Sequence, residues 1–143
     1  MKNLFLLLAT VLSFTFSFSS CTNDDDSSDD NSPINTSQLT GNWKITLFSE
    51  DGDDETYYFT NNVFVFNSNG TVTTTHNGST INGTWTTGTD DSQSKFILNF
   101  GTTTPFDELN DDWHVLSQTA TKIELEDVSG GNGGTDILHF TKQ

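Results

Sequence analysis

The sequence predicts an all-β protein built as one eight-stranded antiparallel up-and-down barrel, and three observations predict it. Beyond residue 20 the chain has 123 residues with 22 Thr, a single Ala (Ala120) and no Met, and Arg is absent throughout. Helices lean on Ala, Leu, Met, Arg and Lys, whereas β-branched side chains suit a pleated, half-buried surface. Apolar residues then alternate with polar ones, as in Trp43, Ile45, Leu47; Phe64, Phe66; Phe96, Leu98, Phe100; Ile123, Leu125; and Leu138, Phe140. That period of two belongs to strands with one face buried and one wet. Turn signals punctuate these runs at short intervals, so neighbouring strands are joined directly.

Residues 1–20 have the three parts of a secretory signal: Lys2, an apolar stretch from Leu4 to Leu12 extended by Phe14, Phe16 and Phe18, and Ser19-Ser20 ahead of Cys21. The stretch is too short, with the wrong flanks, for a stable membrane span. Residues 21–38 follow as a tether of Asp, Ser, Asn and Thr with one Pro, carrying Asp24, Asp25, Asp26, Asp29 and Asp30. Such a segment cannot bury enough surface to offset its ordering entropy and is expected to be disordered. Residues 39–143 are expected to fold, with strands near 42–49, 56–66, 71–76, 80–87, 95–100, 113–118, 122–127 and 135–142. Asn69-Gly70 and Asn77-Gly78 predict tight type I′ hairpin turns, and Asn82-Gly83, inside a strand pattern, predicts a bulge or bend. Thr104-Pro105-Phe106-Asp107-Glu108-Leu109 sets a capping Thr before a first-turn Pro and two acids, which predicts one helical turn between the fifth and sixth strands. A meander has two exposed edges unless it closes into a barrel; a sandwich of two four-stranded sheets is the alternative.

Two resemblances follow from particular residues. Ser19-Ser20-Cys21 resembles the lipobox of bacterial lipoproteins, with Phe18 where Leu is usual. That likeness implies cleavage before Cys21, acylation of Cys21 with palmitate-type chains, and anchoring to a membrane; an ordinary signal peptide with an incidental Cys is the alternative. The acidic run behind Cys21 resembles the signal that sends some Gram-negative lipoproteins to the outer face of the outer membrane, with plain solubility as an equal explanation. Leu39-Thr40-Gly41-Asn42-Trp43 resembles the Gly-x-Trp signature that opens the first strand of lipocalins. With Phe64 and Phe66 before Asn69-Gly70, Gly83-Thr84-Trp85 on the fourth strand, and a last strand of Leu138 to Lys142, the chain is similar to small bacterial lipocalin-like lipoproteins. The likeness implies that Trp43 packs across a closed end of the barrel while the other end opens to solvent. Lys142 or Lys122 would replace the Arg that stacks on that Trp in lipocalins.

Candidate chemistry is sparse. With Cys21 lipidated, an exported chain has no disulfide, no Cys-ligated metal and no thiol nucleophile. His76, His114 and His139 fall on three strands with no close pair, a poor metal set. No Gly-x-Ser-x-Gly elbow places a nucleophile. Glu50-Asp51-Gly52-Asp53-Asp54-Glu55 offers oxygens suited to Ca²⁺ but lacks EF-hand spacing, and a solvated acidic hairpin is the plainer reading. Asp90-Asp91 and the group Asp107, Glu108, Asp111, Asp112 read the same way. Five Lys against twenty acids repel nucleic acid. The aromatic residues remain: Trp43, Tyr58, Phe64, Phe66, Trp85, Phe100 and Trp113, with Phe96 and Phe140, would line a lipocalin-type pocket or simply fill the barrel. The expectation is therefore a monomeric, non-enzymatic module without cofactor, anchored in a Gram-negative outer membrane, that encloses a small apolar or amphipathic ligand. The alternative is a surface-displayed interaction or structural lipoprotein with a filled barrel, contacting protein or glycan through acidic loops.

Overall fold

A computed structural model describes residues 33–128 and 134–143. The expected signal, Cys21 and the acidic stretch of the tether lie outside the described residues. In chain order the elements are α1 (Thr36–Leu39), β1 (Gly41–Glu50), β2 (Asp53–Asp54), a first 3-10 turn (Thr56–Phe59), β3 (Phe64–Phe66), β4 (Thr71–His76) and β5 (Ser79–Asp90). They continue with β6 (Gln93–Asn99), a second 3-10 turn (Phe106–Leu109), β7 (Asp111–Gln118), β8 (Lys122–Val128) and β9 (Thr135–Lys142). From β3 to β9 each strand pairs antiparallel with the next, and β1 pairs with both β3 and β9. The sheet thus closes into an eight-stranded antiparallel barrel, and β2 is a short arm folded back on the end of β1.

Turn chemistry sets the register. Asn77 and Gly78 both have positive φ (50° and 79°), as a type I′ turn requires. The same pair of signs occurs at Asp51-Gly52 and at Asp91-Ser92, the latter a turn that no Gly announces. Asn69-Gly70 is not of this type. Only Gly70 is left-handed there; its N–H donates to Asn67 O at 3.0 Å and Asn67 N–H donates to Thr71 O at 2.9 Å, which is a longer loop with Gly at the bulge position. The Asn69 carboxamide instead accepts from Thr71 N–H and Oγ1.

Several expected boundaries move, each for a physical reason. The strand expected over 56–66 survives only as β3. Asp54 accepts from Thr56 N–H at 2.9 Å and Thr56 Oγ1 accepts from Phe48 N–H at 2.9 Å, which pulls the chain out of the sheet and into the first 3-10 turn. In β1 the register slips between Ile45 and Leu47, so Phe48 rather than Leu47 faces the core. A second slip between Val115 and Ser117 leaves Leu116 outside. Asn82-Gly83 forms no bulge, because the β4–β5 register runs unbroken through Thr73↔Asn82 and Val72↔Gly83. Gly83 is there for space: a Cβ on it would stand 2.6 Å from Phe100 Cδ1 and 2.7 Å from Asn99 O. Thr104 does not cap the second turn; Pro105 holds the cap position, and the Thr104 hydroxyl bonds the Asp107 carboxylate at 3.2 Å. The folded part also begins before residue 39. Ile34 packs on the core, and Asn35 exchanges two hydrogen bonds with the Gln118 side chain, at 2.9 and 3.0 Å.

Candidate functional site

Strand directions define two ends. The proximal end holds α1, the β3–β4, β5–β6 and β7–β8 turns, and the carboxyl terminus. The distal end holds the β1–β2 arm, both 3-10 turns, the β4–β5 turn, the end of β8 and the start of β9.

Gly41 and Trp43 close the proximal end. Trp43 is fully buried and its indole N–H donates to Leu39 O at 2.6 Å, tying α1 across the opening. Lys142 Nζ lies 5.2 Å from the Trp43 ring centre and donates to Gln38 O at 2.8 Å, so Lys142, not Lys122, takes the cation–π position. Gly41, at φ +121°, leaves room for the Lys142 stem, which a Cβ would approach to 3.2 Å. Lys122 pairs instead with Glu124.

Of the expected lining residues, Trp43, Phe64, Phe66, Trp85, Phe100 and Trp113 are all buried inside, as are Phe96 and Phe140. They meet one another. Phe66 touches Trp85, Phe96 and Phe140 at centroid distances of 6.0, 5.6 and 5.6 Å, and Phe64 touches Phe100 and Phe140 at 6.0 and 5.7 Å, mostly edge to face. The indole N–H groups of Trp85 and Trp113 donate to Asn67 O and Leu109 O, so all three Trp pin turn segments. Tyr58 does not belong to this set: it lies on the first 3-10 turn and is 43% exposed.

The distal end is lined by residues the alternation could not reveal. Phe59, Phe106 and Leu109, all buried, come from the two 3-10 turns; Phe106 meets Phe59 at 5.6 Å and Phe64 at 6.2 Å. The signal for Phe106 and Leu109 was the Thr104-Pro105-Phe106 turn, which places a Phe where no strand period predicts one; Phe59, inside a stretch that reads as strand, had none. Buried Asn62 fills the wall where β3 is cut short. Its Nδ2 donates to Thr74 Oγ1 at 3.1 Å and to Thr75 O at 3.0 Å, and its Oδ1 lies 3.3 Å from His76 Nδ1.

Charge is uneven along the barrel. The β1–β2 arm (Glu50, Asp51, Asp53, Asp54, Glu55), Asp107, Glu108, Asp111, Asp112, Asp127 and Asp136 all stand on distal segments. Lys44, Lys122 and Lys142 stand toward the proximal end, and Lys95 is buried mid-wall, 3.4 Å from Asp112. Burial, then Glu108, Glu55, Asp136 and Asp51, push the Glu50 carboxyl above its usual range. Asp111, Asp112 and Asp127 bring carboxylate oxygens within 4.8 Å of one another. Burial first, and the neighbouring charges of Asp127 and Asp112, raise Asp111; at Asp112 burial is outweighed by the Asp111 hydrogen bond and Lys95, which lower it. His76, His114 and His139 remain on separate strands, and burial lowers His139. Beside the acidic arm, Tyr57 and Tyr58 face each other at 4.2 Å with a 36° tilt, and a hydrogen bond between their side chains pushes the Tyr57 hydroxyl up to about 12.

Among the described residues the outer wall carries a cleft of about 220 Å³ between Ile34 and Leu116 and another of about 400 Å³ over Val63, Val65 and Thr73. Among the described residues no helix is long and apolar enough to cross a membrane. Comparisons with protein-family models, curated proteins and solved structures return no match. The chain is a closed eight-stranded antiparallel β-barrel, compatible with a lipocalin-like binding module.

Proposed function

We propose that the protein is a lipid-anchored display barrel: a non-enzymatic outer-membrane lipoprotein, held by Cys21, whose solid interior presents an acidic end to partners. One observation carries the choice of a solid over a hollow interior. The rings expected to line a pocket pack against one another, and the three indole donors are already committed to backbone carbonyls. Enclosing a ligand there would break edge-to-face contacts of about 0.5–1.5 kcal/mol each beyond their area burial. Anchoring rests on the lipobox-like Ser19-Ser20-Cys21, and the proximal position of Ile34 and α1 is what supports the distal end facing outward.

The test is to purify residues 22–143, record native mass spectra, and titrate a fatty-acid panel against Trp fluorescence. No copurified mass and no saturable quenching are expected. Stoichiometric uptake of one lipid would restore the carrier reading. In cells, labelled palmitate should enter the intact chain and not a Cys21→Ser variant.

A further inference from the structure

Tyr57 and Tyr58 are the open question of this surface. They sit side by side on a short turn at 64% and 43% exposure, while the next residue, Phe59, packs into the core. Two large rings are held largely outside the core, and their placement is anchored: they are 4.2 Å apart, Tyr58 meets Phe59 edge to face at 6.5 Å, and Phe59 is held 5.5 Å from Phe48 and 5.6 Å from Phe106. The turn that carries them is anchored, so the pair is a presented platform.

What surrounds the platform selects its occupant. Glu55 directly precedes the turn and its charge acts on Tyr57; Glu50, at the end of β1, is crowded by Glu55 in turn, and Glu108 and Asp136 reach Glu50 from the second 3-10 turn and from β9. Along the described barrel, Lys44, Lys122 and Lys142 stand at the opposite end. A cation set over an aromatic face is attracted by the ring quadrupole, and a ring of carboxylates steers it there. A neutral sugar would also stack on tyrosine, but it would leave the like charges crowded as they are; a cation relieves them.

We propose that the Tyr57–Tyr58 pair and its carboxylates form a docking surface for a basic protein segment, with a Lys or Arg side chain laid over the rings. This rests on the display-barrel reading, since it needs the distal end free and facing outward.

The experiment uses residues 22–143 and a labelled octa-arginine peptide, followed by fluorescence anisotropy at about 20 mM and about 300 mM salt, where screening differs strongly. Three double variants are compared: Tyr57→Ala with Tyr58→Ala, Glu50→Gln with Glu108→Gln, and Asp90→Asn with Asp91→Asn, which removes the same charge at the proximal end. Circular dichroism confirms that each is folded. Binding is expected to weaken about tenfold or more in the first two and less than about twofold in the third. Equal losses from the two charge variants, or none from the tyrosine variant, would reduce the effect to net charge and overturn the proposal. Binding of maltoheptaose without binding of the peptide would overturn it in favour of a glycan platform. The fatty-acid titration reads the interior separately, so a hollow barrel and an inert distal surface are distinguishable results.

Discussion

Asp111 shows how one residue can be held in place against its own charge. Its carboxylate accepts from Asp112 N–H at 2.7 Å, and it is half-buried beside Asp112 and Asp127. Burial, first, raises its pKa above the usual aspartate value, so the folded state holds its proton more tightly than the unfolded chain does. Where both forms are protonated, in strong acid, the group costs nothing; as pH rises through the window above 3.8 the fold loses stability to it. Asp111→Asn keeps the oxygen that accepts from Asp112 N–H and removes the charge. The variant is therefore expected to melt a few degrees higher than the parent at pH 7, and the difference should vanish near pH 3, by thermal melts across that range. Glu124 runs the opposite way. Hydrogen bonds from Lys122 and Ser117 lower its pKa, so its contribution is present at neutral pH and is lost as pH falls below 4.5.

At the scale of elements, what the sequence made legible was everything that a strict period expresses. Phe64, Phe66, Phe96, Leu98, Phe100, Ile123, Leu125, Leu138 and Phe140 all face the core as their alternation requires. The failures sit where the period breaks. A bulge in β1 exchanges Leu47 for Phe48, and a one-residue slip is invisible in a run such as Ile45-Thr46-Leu47-Phe48, where either apolar residue can take the inward place. Tyr57-Tyr58-Phe59 reads as strand by composition, but the Asp54 and Thr56 side-chain bonds, with Tyr58 N–H donating to Glu55 O, hold it as a 3-10 turn. The tyrosine platform was hidden for the same reason, since Tyr58 looked like a lining residue. Because β3 is three residues long, the wall between β1 and β4 is completed by Asn62 in place of a backbone ladder. Asn62→Leu is close in size but removes both Nδ2 donors, leaving Thr74 Oγ1 and Thr75 O each short of one. Each buried polar group left unpaired costs about 1–3 kcal/mol, so the variant is expected to lose about 2–4 kcal/mol in urea unfolding. Amide exchange should localise the change to β4 and the turn before β3; a uniform loss of protection would mean that the side chain holds no particular seam.

For the whole molecule, the fifteen acids and four Lys beyond residue 38 raise a question of balance. Among the described residues Lys95–Asp112 and Lys122–Glu124 are attractive pairs, and salt weakens both. Against them stand the like charges of the distal end, gathered from the β1–β2 arm, the second 3-10 turn and the start of β9 onto one face. An exposed pair contributes about 0–1 kcal/mol, and repulsions of similar individual size outnumber the pairs, so repulsion wins. Adding sodium chloride from about 10 to about 300 mM shortens the screening length from about 30 Å to under 10 Å, and the melting temperature is expected to rise by several degrees. The location of the repulsion is testable in the same experiment. Glu50→Gln with Glu108→Gln should raise the low-salt melting temperature and flatten the salt response, because it removes charge where charge is crowded. Asp90→Asn with Asp91→Asn removes as much charge from the sparser proximal end and should do less of both. Identical responses would mean that the barrel feels only its net charge. A larger response at the distal end would mean that the fold carries a standing electrostatic strain there, which a basic partner relieves on binding, so that stability and docking are two readings of the same arrangement.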